Sequence, residues 1–358
     1  METDARLELI KQVGEEIVTE DELKELLSKK KQFIAYDGFE PSGNLHIAQG
    51  IMRAINVNKM IKAGCKFKML VADWHAWANN KYDGDLDKIE AAGKYIIEVW
   101  KSCGMDLEHV EFVRSNDAVN DPEYWKLVMR IARESTLKRV VRCSQIMGRK
   151  ESDSLSASQI LYPCMQCADI FYLNSEVTQL GMDQRKVNML AREIGEKLGY
   201  WKPVVVSHHM LMGLKQPASG TTDAIERAIE MKMSKSIPDS AIFMTDSEAD
   251  INSKIQKAYC PIKQVGENPM MEYSKYIIFE KFSEMKISRE EKFGGDLVIK
   301  SYQELSEQYA AGKIHPADLK KAVAYYLNQL IEPVRQHFER NASAKKLLEQ
   351  VSSFAISR

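Results

Sequence analysis

Between residues 33 and 115 the sequence alternates short apolar runs with longer amphipathic ones, and this alternation limits the fold more than any other feature. FIAYD (33–37), FKMLVAD (67–73) and VEFVRS (110–115) read as strands. IMRAINVNKMIKAG (51–64) and LDKIEAAGKYIIEVWKSCG (86–104) lie between them and read as helices, the first closed by Gly64. Near-continuous apolar strands joined by helices require a parallel sheet covered on both faces. Residues 121–175 interrupt the pattern with mostly helical text. Alternation then resumes with VTQLG (177–181), the helix DQRKVNMLAREIGEKLG (183–199) and the strand PVVVSH (203–208). Residues 1–30 read as one or two short helices with Thr19 as an N-cap. Residues 208–245 read as a mobile loop, and from 246 onward the text is helical apart from a loop near EKFGGD (291–296). The expected architecture is α/β: a doubly wound parallel-sheet domain over 31–245 with a helical insertion at about 121–175. A helical segment, 1–30, precedes it and a mostly helical domain, 246–358, follows. A chain of 358 residues is long enough for this division.

The formal net charge is −1, so a nucleic-acid partner would be held by local patches. Of six cysteines, Cys164 and Cys167 form a C-x-x-C without a second pair at zinc-ligand spacing. Core packing is favoured for them over redox or metal use, and no metal site is expected. An acidic, amphipathic N-terminus and the lack of any apolar stretch of membrane-spanning length point to the cytosol.

Three strand ends turn polar: YDGFEPSG, ADWH and GMDQ. In a doubly wound sheet, ligands bind at those ends. GFEPSGNLHIAQG (38–50) places two glycines, a proline and a lone histidine where a strand gives way to a helix, a junction suited to phosphate. In SQILYPCMQCADIFYL, a helix begun at Pro163 puts Tyr162, Gln166 and Asp169 on one face among apolar neighbours. Those groups either satisfy one another or read a polar ligand. EMKMSKS (230–236) offers lysines and hydroxyls suited to a polyphosphate, or a solvated loop. Residues 126–150 carry eight basic residues and one acidic one. Lys138, Arg142 and Arg149 form a stripe that is either a solvated face or a track for a nucleic-acid backbone.

Together these stretches resemble a known family. PSGNLHIAQG resembles the H-I-G-H signature of class I aminoacyl-tRNA synthetases, and KMSKS matches their second signature letter for letter. YDGFEPSG, LYPCMQCADI, GMDQRKVNMLARE, KAYCP, EKFGGDL and HPADLKKAV resemble tyrosyl-tRNA synthetases of the archaeal and eukaryotic kind, over roughly residues 30–335. The first signature departs from the pattern: Ala48 replaces glycine and Gln49 the second histidine, so that side chain can hydrogen-bond but carries no charge.

The resemblance implies a Rossmann-like catalytic domain, with 246–358 binding the anticodon. It implies activation of tyrosine by ATP, with Mg2+, and transfer to the 3′ end of a tRNA; the apolar helical surface of the insertion points to a homodimer of this cytoplasmic protein. His46, Gln49, Lys232 and Lys235 match catalytic positions. Gly38, Ser42, Gly43, Met233, Ser234 and Ser236 join them in holding ATP. Tyr36 and Asp169 match positions that read the tyrosine hydroxyl; Glu40, Tyr162, Gln166 and Gln184 match the rest of the amino-acid site. For tRNA, Lys138, Arg142 and Arg185 are acceptor-end candidates, and Phe293, His315 and Asp318 match anticodon positions, with a buried-core role open for Phe293. The nearest alternative, a tryptophanyl-tRNA synthetase, has the same fold, but indole offers one donor and no hydroxyl for the Tyr36 and Asp169 pair. A non-catalytic RNA-binding scaffold would have no use for KMSKS. Another nucleotidyl transferase of the superfamily would lack the helical text after 246.

Overall fold

Six strands form one sheet: β1 Gly14–Val18, β2 Phe33–Phe39, β3 Cys65–Val71, β4 Val110–Arg114, β5 Val177–Thr178 and β6 Val204–His208. Their order is β1-β6-β5-β2-β3-β4, parallel except for β1 at the edge. The structure is a computed structural model that describes residues 1–148, 154–217, 224–233 and 237–354. From β2 the chain winds outward through β3 to β4, then crosses to β5 on the other side of β2 and winds out to β6. The direction of winding reverses between β2 and β5, which opens a crevice at their carboxyl ends.

The strands and helices expected between 33 and 115 form where the alternation puts them. Helix Ile51–Lys62 ends before Gly64, whose φ of +94° is a conformation that favours glycine. Helix Leu86–Ser102 starts at Asp85, whose carboxylate accepts from the N–H groups of Asp87 and Lys88.

Three expectations are corrected. Residues 1–30 hold not only helices Thr3–Lys11 and Glu20–Lys29 but also β1, although Thr19 caps the second helix as expected. GEEIV has no clear apolar period; it becomes a strand because it can pair antiparallel with the free edge of β6, setting Ile17 opposite Val206. Second, the helix carrying Tyr162 runs Ala157–Tyr172 and encloses Pro163 rather than beginning there. A capping box between Ser156 and Gln159 starts it at Ala157, ahead of the proline. Third, a helix, Ala224–Met231, lies within the stretch read as a mobile loop.

The insertion holds helices Pro122–Glu134, Leu137–Arg142 and Ala157–Tyr172, packed in one apolar cluster with Tyr36 and Leu70. From 246 to 354 the regular elements are helices except for a hairpin of β7 Met285–Ile287 and β8 Leu297–Ile299. The C-terminal helices Pro316–Arg340 and Ala342–Ser352 share a continuous apolar core with the other face of the sheet.

Candidate active site

The crevice between β2 and β5 opens into a cavity of about 320 Å³. Its lining brings together Tyr36, Gly38, Glu40, Ser42, His46, Gln49, Tyr162, Gln166, Asp169, Gln184, Lys232 and Met233. Gly43 lies in the same loop, with φ of +99°. Ser234, Lys235, Ser236 and Arg149 fall outside the described residues.

At the apolar end, Asp169 is buried on helix Ala157–Tyr172. Its Oδ1 accepts from the Tyr124 hydroxyl at 2.9 Å, and its Oδ2 lies 2.9 Å from His75 Nε2. Burial pulls the His75 imidazole down, but the Asp169 carboxylate outweighs it and holds the group above its ordinary value. Tyr36, on β2, is fully buried; its hydroxyl faces Asp169 and Gln166 without a well-formed hydrogen bond. Burial, reinforced by Asp169, pushes this phenol up, so it stays protonated and able to donate. Of the two readings open for the polar helix face, mutual satisfaction fails. Gln166 bonds Gln184 at 3.0 Å rather than Asp169, and Gln184 donates onward to the Ile146 carbonyl.

At the polar end, the turn 46–50 leads into helix Ile51–Lys62. His46 forms a β-bridge with Phe243, flanked by hydrogen bonds from Ile47 to Ile242 and from Met244 to Leu45. The first signature is thus pinned to the segment that follows the second. Gly50 is small because a Cβ there would meet the Met244 side chain at 2.4 Å. Lys232 crosses the cavity to Asp183, Nζ to Oδ2 2.7 Å, after the end of β5. Glu40 accepts from the Asn79 amide at 3.1 and 3.2 Å, with the Lys81 ammonium 3.8 Å away.

Sequence reasoning missed the floor of the cavity. Asp37, buried on β2, lies 2.8 Å from Arg53 Nε, and Arg53 also reaches both ring nitrogens of His208 at 3.0 and 2.6 Å. Gln179 closes the cluster at 2.8 Å from His208. Burial pushes Asp37 up to about 7 against the pull of Arg53. Burial, then Arg53, drives the His208 imidazole well down, so it is neutral. Asp37 lies within YDGFEPSG, a stretch already marked as a polar strand end, but Arg53 and His208 stand in apolar runs that gave no signal. His75 lies within ADWH, a stretch already marked as a polar strand end, while nothing marked Tyr124.

The tRNA candidates line none of this cavity. Lys138 and Arg142 are exposed on one face of helix Leu137–Arg142, while Arg139 between them is paired with Glu193. Arg185 is engaged by Glu16 at 2.7 and 3.0 Å. Phe293 is 61% exposed beneath the Lys292 ammonium, which removes the buried-core alternative. His315 caps helix Pro316–Arg340 by accepting from the Ala317 N–H, and Asp318 lies half-buried in its first turn. Cys164 and Cys167 are buried with their thiols pushed up by burial, Cys164 to about 12, as befits core residues.

A doubly wound sheet whose switch-point cavity joins a phenol-and-carboxylate pocket to a histidine loop and a lysine segment defines a nucleotide-dependent α/β enzyme of the class I synthetase type. Residues 28–332 match the family of class I tRNA synthetases for tryptophan and tyrosine, and the chain belongs to it. Its relatives lie on the tyrosine side. It is 51% identical to tyrosine–tRNA ligase 1, cytoplasmic, of Arabidopsis thaliana, over the whole of this chain and 90% of that one. The tyrosyl-tRNA synthetase of Pyrococcus horikoshii complexed with L-tyrosine superposes with a TM-score of 0.90 at 38% identity, over 98% of this chain and 100% of that one. The Leishmania major enzyme in complex with tyrosinol gives 0.90 at 43% identity; this chain spans 99% of its own length but 61% of that longer one. A tryptophanyl-tRNA synthetase from Encephalitozoon cuniculi, at 17% identity and a TM-score of 0.70, shares the fold alone.

Proposed function

We propose that this protein activates L-tyrosine with ATP to tyrosyl-adenylate and transfers the tyrosyl group to the 3′ end of its tRNA. The observation that carries the reading is that buried Tyr36 and Asp169 face one another in the lining of the cavity. Tyr36 is a protonated phenol and Asp169 an acceptor already oriented by Tyr124 and His75. Such a pocket is complementary to a phenolic hydroxyl, and a phenylalanine ring would leave buried polar groups unmatched. Gln166, Gln184 and Tyr162 then face the ammonium group, with Glu40 nearby.

The tyrosine carboxylate attacks the α-phosphorus of ATP and pyrophosphate leaves; no protein nucleophile takes part. The protein contributes alignment and charge stabilisation. His46, Gln49 and Lys232 border the cavity on the phosphate side, with Lys235 as the fourth candidate; Gly38, Ser42, Gly43, Met233, Ser234 and Ser236 complete the ATP site. Among the described residues no three His, Cys, Asp or Glu side chains are grouped to hold a metal. Magnesium is proposed to accompany ATP as part of the substrate, carried on its phosphates.

For tRNA, exposed Lys138 and Arg142 are assigned to the acceptor end, with Arg185 once it is released from Glu16. Phe293, His315 and Asp318 are assigned to the anticodon, which makes 246–358 the anticodon-binding domain and 31–245 the catalytic one. Exposed Met129 and Leu137 on the insertion are consistent with a homodimer. No helix among the described residues is long and apolar enough to cross a membrane, and a cytoplasmic location is proposed from the Arabidopsis relative's name. Amino-acid-dependent ATP–pyrophosphate exchange with all twenty amino acids tests the reading. Tyrosine should drive exchange alone; equal rates with phenylalanine would refute the specificity argument, and a preference for tryptophan would select the alternative.

A further inference from the structure

The loop at residues 40–49 lines the cavity through Glu40, Ser42, His46, Ala48 and Gln49. Its other side rests on helix Leu86–Ser102. A Cβ on Gly93 of that helix would lie 2.9 Å from Val71 and 3.6 Å from Pro41, so helix and loop are in close contact. Trp100 Nε1 donates to the Gln49 carbonyl at 2.9 Å. The Tyr95 hydroxyl, buried without a well-formed hydrogen bond, lies near the Leu45 backbone and the Thr245 side chain, and the Tyr82 hydroxyl lies near the Gly43 backbone.

The same two tyrosines are gripped from behind by the C-terminal helices. The Phe338 ring of helix Pro316–Arg340 lies 5.5 Å from the Tyr95 ring. Phe354, just past helix Ala342–Ser352, meets Tyr82 edge-on at 5.4 Å. His337 Nε2 lies 2.8 Å from Glu98 on helix Leu86–Ser102. Tyr82 is itself in a costly backbone state: it, Asn80 and Asp83 all have φ between 50° and 60° without being glycine. A backbone like this persists only where its surroundings hold it, and Phe354 is the contact that holds Tyr82 from the C-terminal side. Lys81 and Asn79 of the same turn reach Glu40 in the cavity.

We propose that Phe354 and Phe338, acting through Tyr82 and Tyr95, are positioning residues that fix the 40–49 loop for ATP, so that the C-terminal helices set nucleotide affinity. The inference deepens the ATP-binding role proposed for that loop and rests on it. Tyr36 and Tyr162 of the tyrosine end lie in the other apolar cluster, and Glu40 is where this contact chain meets the amino-acid site.

Phe354→Ala and Tyr82→Phe in the full chain test it. The first removes the ring contact; the second keeps the ring and removes the hydroxyl that lies near Gly43, so it preserves packing if the first fails to fold. In exchange assays without tRNA, each should raise KM for ATP about five-fold and leave KM for tyrosine within about two-fold. The double variant should be no worse than the more affected single, since both cut the same chain of contacts. Phe354→Tyr should restore the wild-type value. ATP affinity by calorimetric titration, which needs no amino acid, should fall in parallel. A lower melting temperature with both KM values unchanged would make the contacts structural only and overturn the proposal; so would an equal rise in both. A wild-type protein that binds ATP but lacks tyrosine-dependent exchange would instead refute the substrate assignment, while the titration still reads the effect of the two variants.

Discussion

At the residue scale, Tyr36 and Asp169 differ in what else they do, and their variants should separate. The Tyr36 hydroxyl has no well-formed bond within the protein. Tyr36→Phe should therefore leave the melting temperature unchanged while the preference for tyrosine over phenylalanine falls about ten- to a hundred-fold. Competitive exchange kinetics alongside thermal melting check this. Asp169 serves the protein as well, as acceptor for Tyr124 and partner of His75. Asp169→Asn keeps the shape but removes the charge that holds His75 up. Activity with tyrosine should fall about a hundred-fold and stability by about 1–3 kcal/mol, because the amide keeps one acceptor oxygen and turns a donor toward the other buried partner. A loss of activity with no loss of stability would mean the Tyr124 and His75 contacts contribute nothing to folding.

At the scale of elements, Arg53 ties helix Ile51–Lys62 to the ends of β2 and β6 through Asp37 and His208. The pair is buried on both sides, and removing one partner of such a pair costs about 3–5 kcal/mol because the other charge is stranded. Arg53→Leu should show a loss by urea denaturation at pH 8 in which the charge's share is limited to about 1.4 kcal/mol, because a carboxyl already near 7 escapes by taking up a proton. Asp37 already sits near 7 with Arg53 present. Without the guanidinium it rises further, the carboxyl takes up a proton, and the deficit should shrink at pH 5.5. An equal deficit at both pH values would show that Asp37 is not stranded.

At the scale of the whole molecule, His209 joins three parts of the chain. It lies between Glu15 on β1, at 3.2 Å, and Glu272 on helix Pro269–Tyr273, at 3.0 Å, and stacks on Tyr276. Burial pulls its imidazole down, but the two carboxylates raise it to about 9. The folded value exceeds the unfolded one near 6.5, so this stabilisation is complete below about 6.5 and is lost as pH rises through 9. Melting curves of wild type and His209→Gln should differ most near pH 6 and converge above about pH 9.5; a gap that does not depend on pH would refute the charge on His209. The distant tRNA candidates belong to this scale too. Asp318→Ala should leave tyrosine-dependent exchange intact. Aminoacylation at limiting tRNA should fall about ten- to a hundred-fold, and a tRNA altered at its first anticodon base should lose its disadvantage. Loss of both activities together would make Asp318 a folding residue.

What the sequence determined by itself were features with a local cause. The period of apolar residues set the strands and helices from 33 to 115, capping residues such as Thr19 and Asp85 set helix starts, and the polar strand ends marked the cavity. Signature stretches named its two rims. The tertiary structure decided whatever needed a partner far along the chain. GEEIV is a strand only because β6 offers it an edge. Tyr124 becomes part of the site because the insertion folds its hydroxyl onto Asp169, and Asp37, Arg53 and His208 become one buried cluster only when β2, helix Ile51–Lys62 and β6 meet. A periodic pattern reports which face of a segment is buried, but not what lies across from it, and the chemistry of a buried polar group is set by what lies across from it.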